Sequence, residues 1–139
     1  MPRTAQTLAG KPGESEKITI NLGHVDLGQI DLLVQEGFYS NRSDLIRTAI
    51  RNQIDRHAEV VRQIVVRKSV DLGIRRIARD DLLAAQAAGR MLDIRVLGLA
   101  VIAPDVTPEL ARATISGLSV LGTLQASAAV KAALADRIG

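Results

Sequence analysis

The chain has 139 residues, 24% of them charged and 47% hydrophobic, a balance that suits one or two small folded domains and excludes disorder as a global description. Its one Phe and one Tyr, side by side at Phe38-Tyr39, exclude the stacking platforms that hold single-stranded nucleic acid. A net charge of +3 permits a nucleic-acid partner without arguing for one, so the placement of the charges has to decide.

With no cysteine, the chain has no thiol catalysis, disulfide or Cys-based zinc site. No apolar stretch approaches the roughly 20 residues of a membrane span, and no charged start runs into an apolar signal core. A cytoplasmic protein without membrane contact is therefore expected. Residues 1–15 mix Pro, Gly, Thr, Gln and Glu without apolar periodicity and read as a flexible arm. Arg3 and Lys11 are basic enough to enter a DNA groove, but Glu14 and Glu16 oppose them, and a solvated tail is the better reading.

Lys17-Ile18-Thr19-Ile20-Asn21-Leu22 alternates strictly, with Ile18, Ile20 and Leu22 on one face of a strand and Lys17, Thr19 and Asn21 on the other. Gly23 ends the run. Val25, Leu27, Ile30, Leu33 and Val34 then recur at helical spacing over residues 24–36, and Gly37 suits the left-handed position that closes a helix. Ser40 or Asn41 can cap a second helix, with Asp44 near its positive end. One apolar stripe follows: Leu45/Ile46, Ala49/Ile50, Ile54, Ala58/Val61 and Ile64/Val65. The run Ile64-Val65-Val66 fits the end of that helix or the start of a strand.

A lone strand leaves its backbone N–H and C=O groups unpaired, and nothing nearby reads as its complement. A second copy of the chain supplies one, giving an antiparallel ribbon about a two-fold axis. Ile18, Ile20 and Leu22 of both copies then face the helices, while Lys17, Thr19 and Asn21 form one exposed polar row. Six residues make a ribbon about 20 Å long, and a two-stranded ribbon enters the major groove of B-DNA. There Lys donates to guanine, Asn pairs with adenine, and Thr bonds either base or touches a thymine methyl.

The segment KITINL followed by HVDLGQIDLLVQEGFYSNRSDLIRTAIRNQI resembles the ribbon-helix-helix family of DNA-binding proteins, the CopG/Arc/MetJ superfamily. The alternating strand, the QEGFYSNRSDLIRTAI run with its Gly turn and the second helix's stripe carry the resemblance, over residues 16–58. It implies an α+β fold whose N-terminal part is an intertwined homodimer on double-stranded DNA, with Lys17, Thr19 and Asn21 reading bases. It also implies a backbone phosphate at the start of the second helix, on Asn41, Arg42 and Ser43, where free N–H groups and the helix dipole favour an anion. Arg47 is near enough for a second phosphate contact, whereas Arg51 and Arg56 read as a solvated face. Ile46 and Ile50 join Ile18, Ile20 and Leu22 in the expected dimer core. The Gly23-His24 pair departs from the Pro and acidic residue that many members carry there, which leaves the first helix's start open. An ordinary edge strand would account for the alternation alone, but not for the strand-helix-helix order with its turn.

Enzyme chemistry finds no footing. His24 and His57 have no metal-ligand spacing, and the C-terminal half lacks both His and Cys, which a nickel-sensing member of the family would need. Asp80-Asp81 are adjacent residues and point apart. No metal and no cofactor are expected.

Residues 94–111 superimpose on 118–135 at an offset of 24, with Val96, Leu97, Gly98, Val106, Leu110 and Ala111 recurring as Val120, Leu121, Gly122, Val130, Leu134 and Ala135. Leu72-Gly73 and Ile77 fit an earlier copy at an offset of 25. Each unit reads as a strand and a short helix, Thr107-Pro108-Glu109 being a good helix start. Tandem units of this kind imply parallel strands, and fewer than three units imply stacking against another chain. The expected organisation is thus an arm at 1–15, a ribbon-helix-helix domain at 16–66 and a repeat-containing oligomerisation module at 67–139. The function read from it is a DNA-binding transcription regulator, a repressor, whose C-terminal module supports higher oligomers. An antitoxin of a toxin-antitoxin pair and a filament-forming scaffold anchored on DNA are the alternatives.

Overall fold

The computed structural model describes residues 15–139. The expected arm at 1–15, apart from Ser15, lies outside the described residues, as do Arg3 and Lys11. The chain divides into two compact units, one formed by Lys17–Ile64 and the other containing Val65–Gly139.

In the first unit, helix α1 (His24–Gln35) begins after Gly23, which offers no capping side chain. The helix starts there all the same, its first carbonyl, that of Gly23, accepting the Leu27 N–H at 3.0 Å. Gly37, at φ +87°, closes α1: the Phe38 N–H reaches the Leu33 carbonyl at 3.0 Å and the Gly37 N–H that of Val34 at 3.1 Å. Helix α2 (Arg42–Arg56) takes Asn41 as its cap, the side chain accepting the Asp44 N–H at 2.8 Å. In return the Asp44 carboxylate accepts the Ser40 N–H at 2.9 Å.

The long stripe is not one helix. It breaks at His57, whose N–H turns to the Ile54 carbonyl at 2.9 Å, a tightened last turn, while its own carbonyl starts helix α3 (Ala58–Lys68). Ile64-Val65-Val66 is thereby helical, and α3 runs through position 66. Ser69, at φ +53°, ends it, the Val70 N–H reaching the Val65 carbonyl at 3.0 Å.

Lys17–Leu22 joins no helix and no ladder among the described residues. No side chain from Lys17 to Ile64 is buried: Ile18 is 71% and Ile20 57% exposed, Leu22 and Ile50 are exposed, and Ile46 is half-buried. This unit has no core of its own.

The second unit does have one. After β1 (Asp71–Ile77), α4 (Arg79–Ala87), β2 (Leu92–Ile102), α5 (Pro108–Thr114), β3 (Ile115–Gln125) and α6 (Ala128–Ala133) follow in turn. The three strands form a parallel sheet in the order β1-β2-β3. Ile94, Val96, Ala100, Ile102 and Leu118 from the sheet pack with Leu82, Leu110, Ala111, Val130 and Leu134. Burying such side chains is worth about 1.5–3 kcal/mol for each large one, so this unit stands without a partner's help. Thr107 and Ser127 cap α5 and α6, accepting the Leu110 and Val130 N–H groups at 3.1 Å each.

The ladder sets Leu72, Gly73 and Ile77 opposite Leu97, Gly98 and Ile102, and Val96, Leu97 and Gly98 opposite Val120, Leu121 and Gly122. The helical half of the sequence offset does not follow the same register. Five residues separate β2 from α5 but two separate β3 from α6, so Val106 precedes its helix while Val130 lies inside one. Both are nonetheless buried. The C-terminus folds back on β3: the Leu118 N–H donates to the Arg137 carbonyl at 3.0 Å, and the Gly139 N–H to that of Leu118 at 3.0 Å.

Candidate nucleic-acid interface

Lys17, Thr19 and Asn21 are exposed, in the segment that precedes α1. Ile18, Ile20 and Leu22, between them in sequence, are exposed too, so both sets of side chains stand in solvent. Asn41, Arg42 and Ser43 come together at the first turn of α2, with Arg47 a turn further on the same helix, and all four are exposed.

The state of each group decides what it can bind. The Asn41 side chain is occupied as the cap. The Asp44 N–H is taken by that cap, whereas the N–H groups of Arg42 and Ser43, in the first turn, have no intrahelical acceptor. Arg42 is held by Asp31 of α1 in a two-pronged pair, Nε to Oδ1 at 2.7 Å and Nη2 to Oδ2 at 2.8 Å. The hydrogen bond from Arg42 and its charge hold the Asp31 carboxyl below the usual carboxylate range, against a smaller opposing effect of desolvation. Reciprocally, the hydrogen bond to Asp31 raises the Arg42 guanidinium.

Asp31 is the residue that sequence reasoning missed. It lies on α1, across the Gly37 turn from Arg42, and the pairing joins the two helices. Of the histidines, His57 approaches Gln53, Nε2 to Nε2 at 3.5 Å, and His24 is exposed. No group of three or more His, Cys, Asp or Glu side chains converges among the described residues. No helix there is long and apolar enough to cross a membrane.

A family described as the ribbon-helix-helix transcriptional regulator family matches residues 13–131, which takes in both units. The transcriptional regulator CdrS of Halobacterium salinarum is 32% identical over 44 residues, 32% of this chain and 80% of that protein. No solved structure matches. The α1–turn–α2 hairpin and a match over most of the sequence agree: the chain belongs to the ribbon-helix-helix transcriptional regulator family.

Proposed function

We propose that this protein is a sequence-specific transcription regulator, acting as a repressor, that reads the major groove with a two-stranded ribbon built from Lys17–Leu22 of two copies. Regulators of this family bind DNA and typically dimerise. The observation that carries the reading is the absence of any buried side chain between Lys17 and Ile64. A chain of this length cannot stay folded without burying apolar surface, and a partner that covers Ile18, Ile20, Leu22, Ile46 and Ile50 supplies the missing core. The same pairing lines up Lys17, Thr19 and Asn21 as a polar comb.

Each group then has one task. Lys17, Thr19 and Asn21 bond base edges, while the first turn of α2, with Arg42, Ser43 and Arg47 over the Asn41 cap, holds a backbone phosphate. The C-terminal unit acts as a self-association module of related strand-helix units; the level glycines of its three strands support this. The antitoxin reading is disfavoured by that unit's own core, since a segment that folds on a toxin would lack one.

The test is selection of bound fragments from random duplex DNA, followed by binding of Thr19→Ala and Asn21→Ala. Each loses about 1–3 kcal/mol of preference at its base. Unchanged affinity and selectivity in both variants would overturn the ribbon assignment.

A further inference from the structure

We propose that β3 of one chain pairs in parallel with β1 of a second copy, continuing the sheet from molecule to molecule. The assignment rests on reading the C-terminal unit as a self-association module, and it names the edges that meet.

Among the described residues the sheet is open at both ends, because β1 and β3 each have a ladder partner on one side only. Near its start, the free side of β3 is closed by the chain's own terminus, which pairs at Leu118 with Ile138. Among the described residues, the edge without a ladder partner therefore begins beyond that point, at Val120. Val120–Gln125 is the stretch that faces Val96–Val101 on the other side, and Val96–Val101 in turn faces Asp71–Arg76.

A column of glycines says which strand pairs there. Gly73, Gly98 and Gly122 stand level, all with positive φ, at +116°, +136° and +119°. A Cβ on Gly98 would lie 2.1 Å from the Gly73 carbonyl oxygen, and one on Gly122 would lie 2.0 Å from that of Gly98. Each carbonyl of the column thus demands a glycine in the next strand. By the same geometry the Gly122 carbonyl points to the open edge and makes the same demand of whatever pairs there. Gly73 answers it: among the described residues, nothing lies within 4 Å of the position its Cβ would occupy.

Exposure agrees. Leu72, Leu97 and Leu121 form one row across the strands. Leu97, flanked on both sides, is half-buried, whereas Leu72 and Leu121 at the two ends are each 68% exposed. Pairing β3 with β1 of another copy sets Leu121 beside Leu72 and gives each its second flank. The contact is head-to-tail, so it propagates into a ring or a filament instead of closing as a two-fold pair.

The full chain contains no cysteine, so Leu72→Cys, Leu121→Cys and the double variant report directly on this register. Both positions are exposed, and substitution leaves the core untouched. Adjacent strands lie about 4.8 Å apart, within disulfide reach, whereas the two positions of one chain are two strands apart and out of reach. Under mild oxidation the double variant is expected to form a ladder of cross-linked chains on a non-reducing gel, while each single variant stays uncross-linked. Cross-linked dimers of either single variant would show symmetric pairing and overturn the proposal. An uncross-linked double variant, with the wild type sedimenting above a dimer, would overturn the edge assignment alone. A wild type that sediments as a dimer at every concentration would overturn self-association itself.

Discussion

Replacing Asp31 by Asn is expected to strengthen DNA binding and steepen its dependence on salt. In the free protein both carboxylate oxygens of Asp31 engage Arg42, at 2.7 and 2.8 Å, and so occupy the guanidinium fork that would otherwise clasp a phosphate. Asparagine keeps the shape but offers one acceptor and no charge, which releases Arg42 in both halves of the proposed dimer. Each phosphate neutralised adds about 0.9 to the slope of log affinity against log salt, so two added contacts steepen it by about 1.8. Between 50 and 200 mM salt that slope costs the variant about 12-fold more affinity than the wild type loses. Fluorescence anisotropy on a selected DNA fragment, titrated with salt, reads the slope. A variant whose slope and affinity match the wild type would refute the reasoning, since Arg42 would then not contact phosphate.

Gly122→Ala is expected to destabilise the C-terminal unit by more than about 3 kcal/mol, because its methyl group meets the Gly98 carbonyl at 2.0 Å in a backbone conformation that side chains avoid. Gly73→Ala, with nothing within 4 Å in its own chain, costs the fold of that chain only the backbone strain, about 1–2 kcal/mol, while blocking the proposed edge contact, and thermal melts that rank the two in the opposite order would refute the column. The hydrogen bond from Arg112 holds the Asp136 carboxyl below its ordinary value, so the stability it adds is present above the unfolded carboxylate pKa and fades as pH falls through the lower folded one. Asp136→Asn should therefore lower the melting temperature near neutrality and leave it unchanged in strong acid, which a series of melts from neutral to acid pH checks. Diluting the chain a hundredfold should lower the stability of the N-terminal unit by about 2.7 kcal/mol, and a helical melt indifferent to concentration would refute the dimer.

What the sequence discloses depends on how tightly each feature is constrained. A ladder cannot slip by one residue without turning every side chain to the other face, and the offset that aligns Leu97-Gly98 with Leu121-Gly122 in sequence is the one that pairs them in the sheet. Loops carry no such constraint. The segments before α5 and α6 differ in length, so the sequence alignment of Val106 with Val130 does not become a structural equivalence even though both positions are buried. Gly37 and Asn41 were readable because their tasks, a left-handed turn and a cap, depend on neighbours within a few residues. The break at His57 was not, because the apolar stripe passes from Ile54 to Ala58 and Val61 in helical phase while one backbone bond changes partner. The pairing of Asp31 with Arg42 is tertiary, and no local pattern announces it.

The two units meet the demand for burial in different ways, and this shapes how such a regulator would respond. The C-terminal unit encloses Ile94, Leu118, Leu134 and their neighbours within a single chain, so it has a core before any second chain is met. The N-terminal unit encloses nothing, so in the proposed dimer its folding and its association are one event. The surface that reads bases then exists only when two chains have met, and DNA, by binding that state alone, stabilises the fold it needs. Pairing of C-terminal sheets holds chains at high local concentration and shifts the same equilibrium without touching the DNA. Occupancy should consequently rise more steeply with protein concentration than a preformed dimer allows, and cutting the edge contact at Leu72 or Leu121 should flatten that rise while leaving base preference intact.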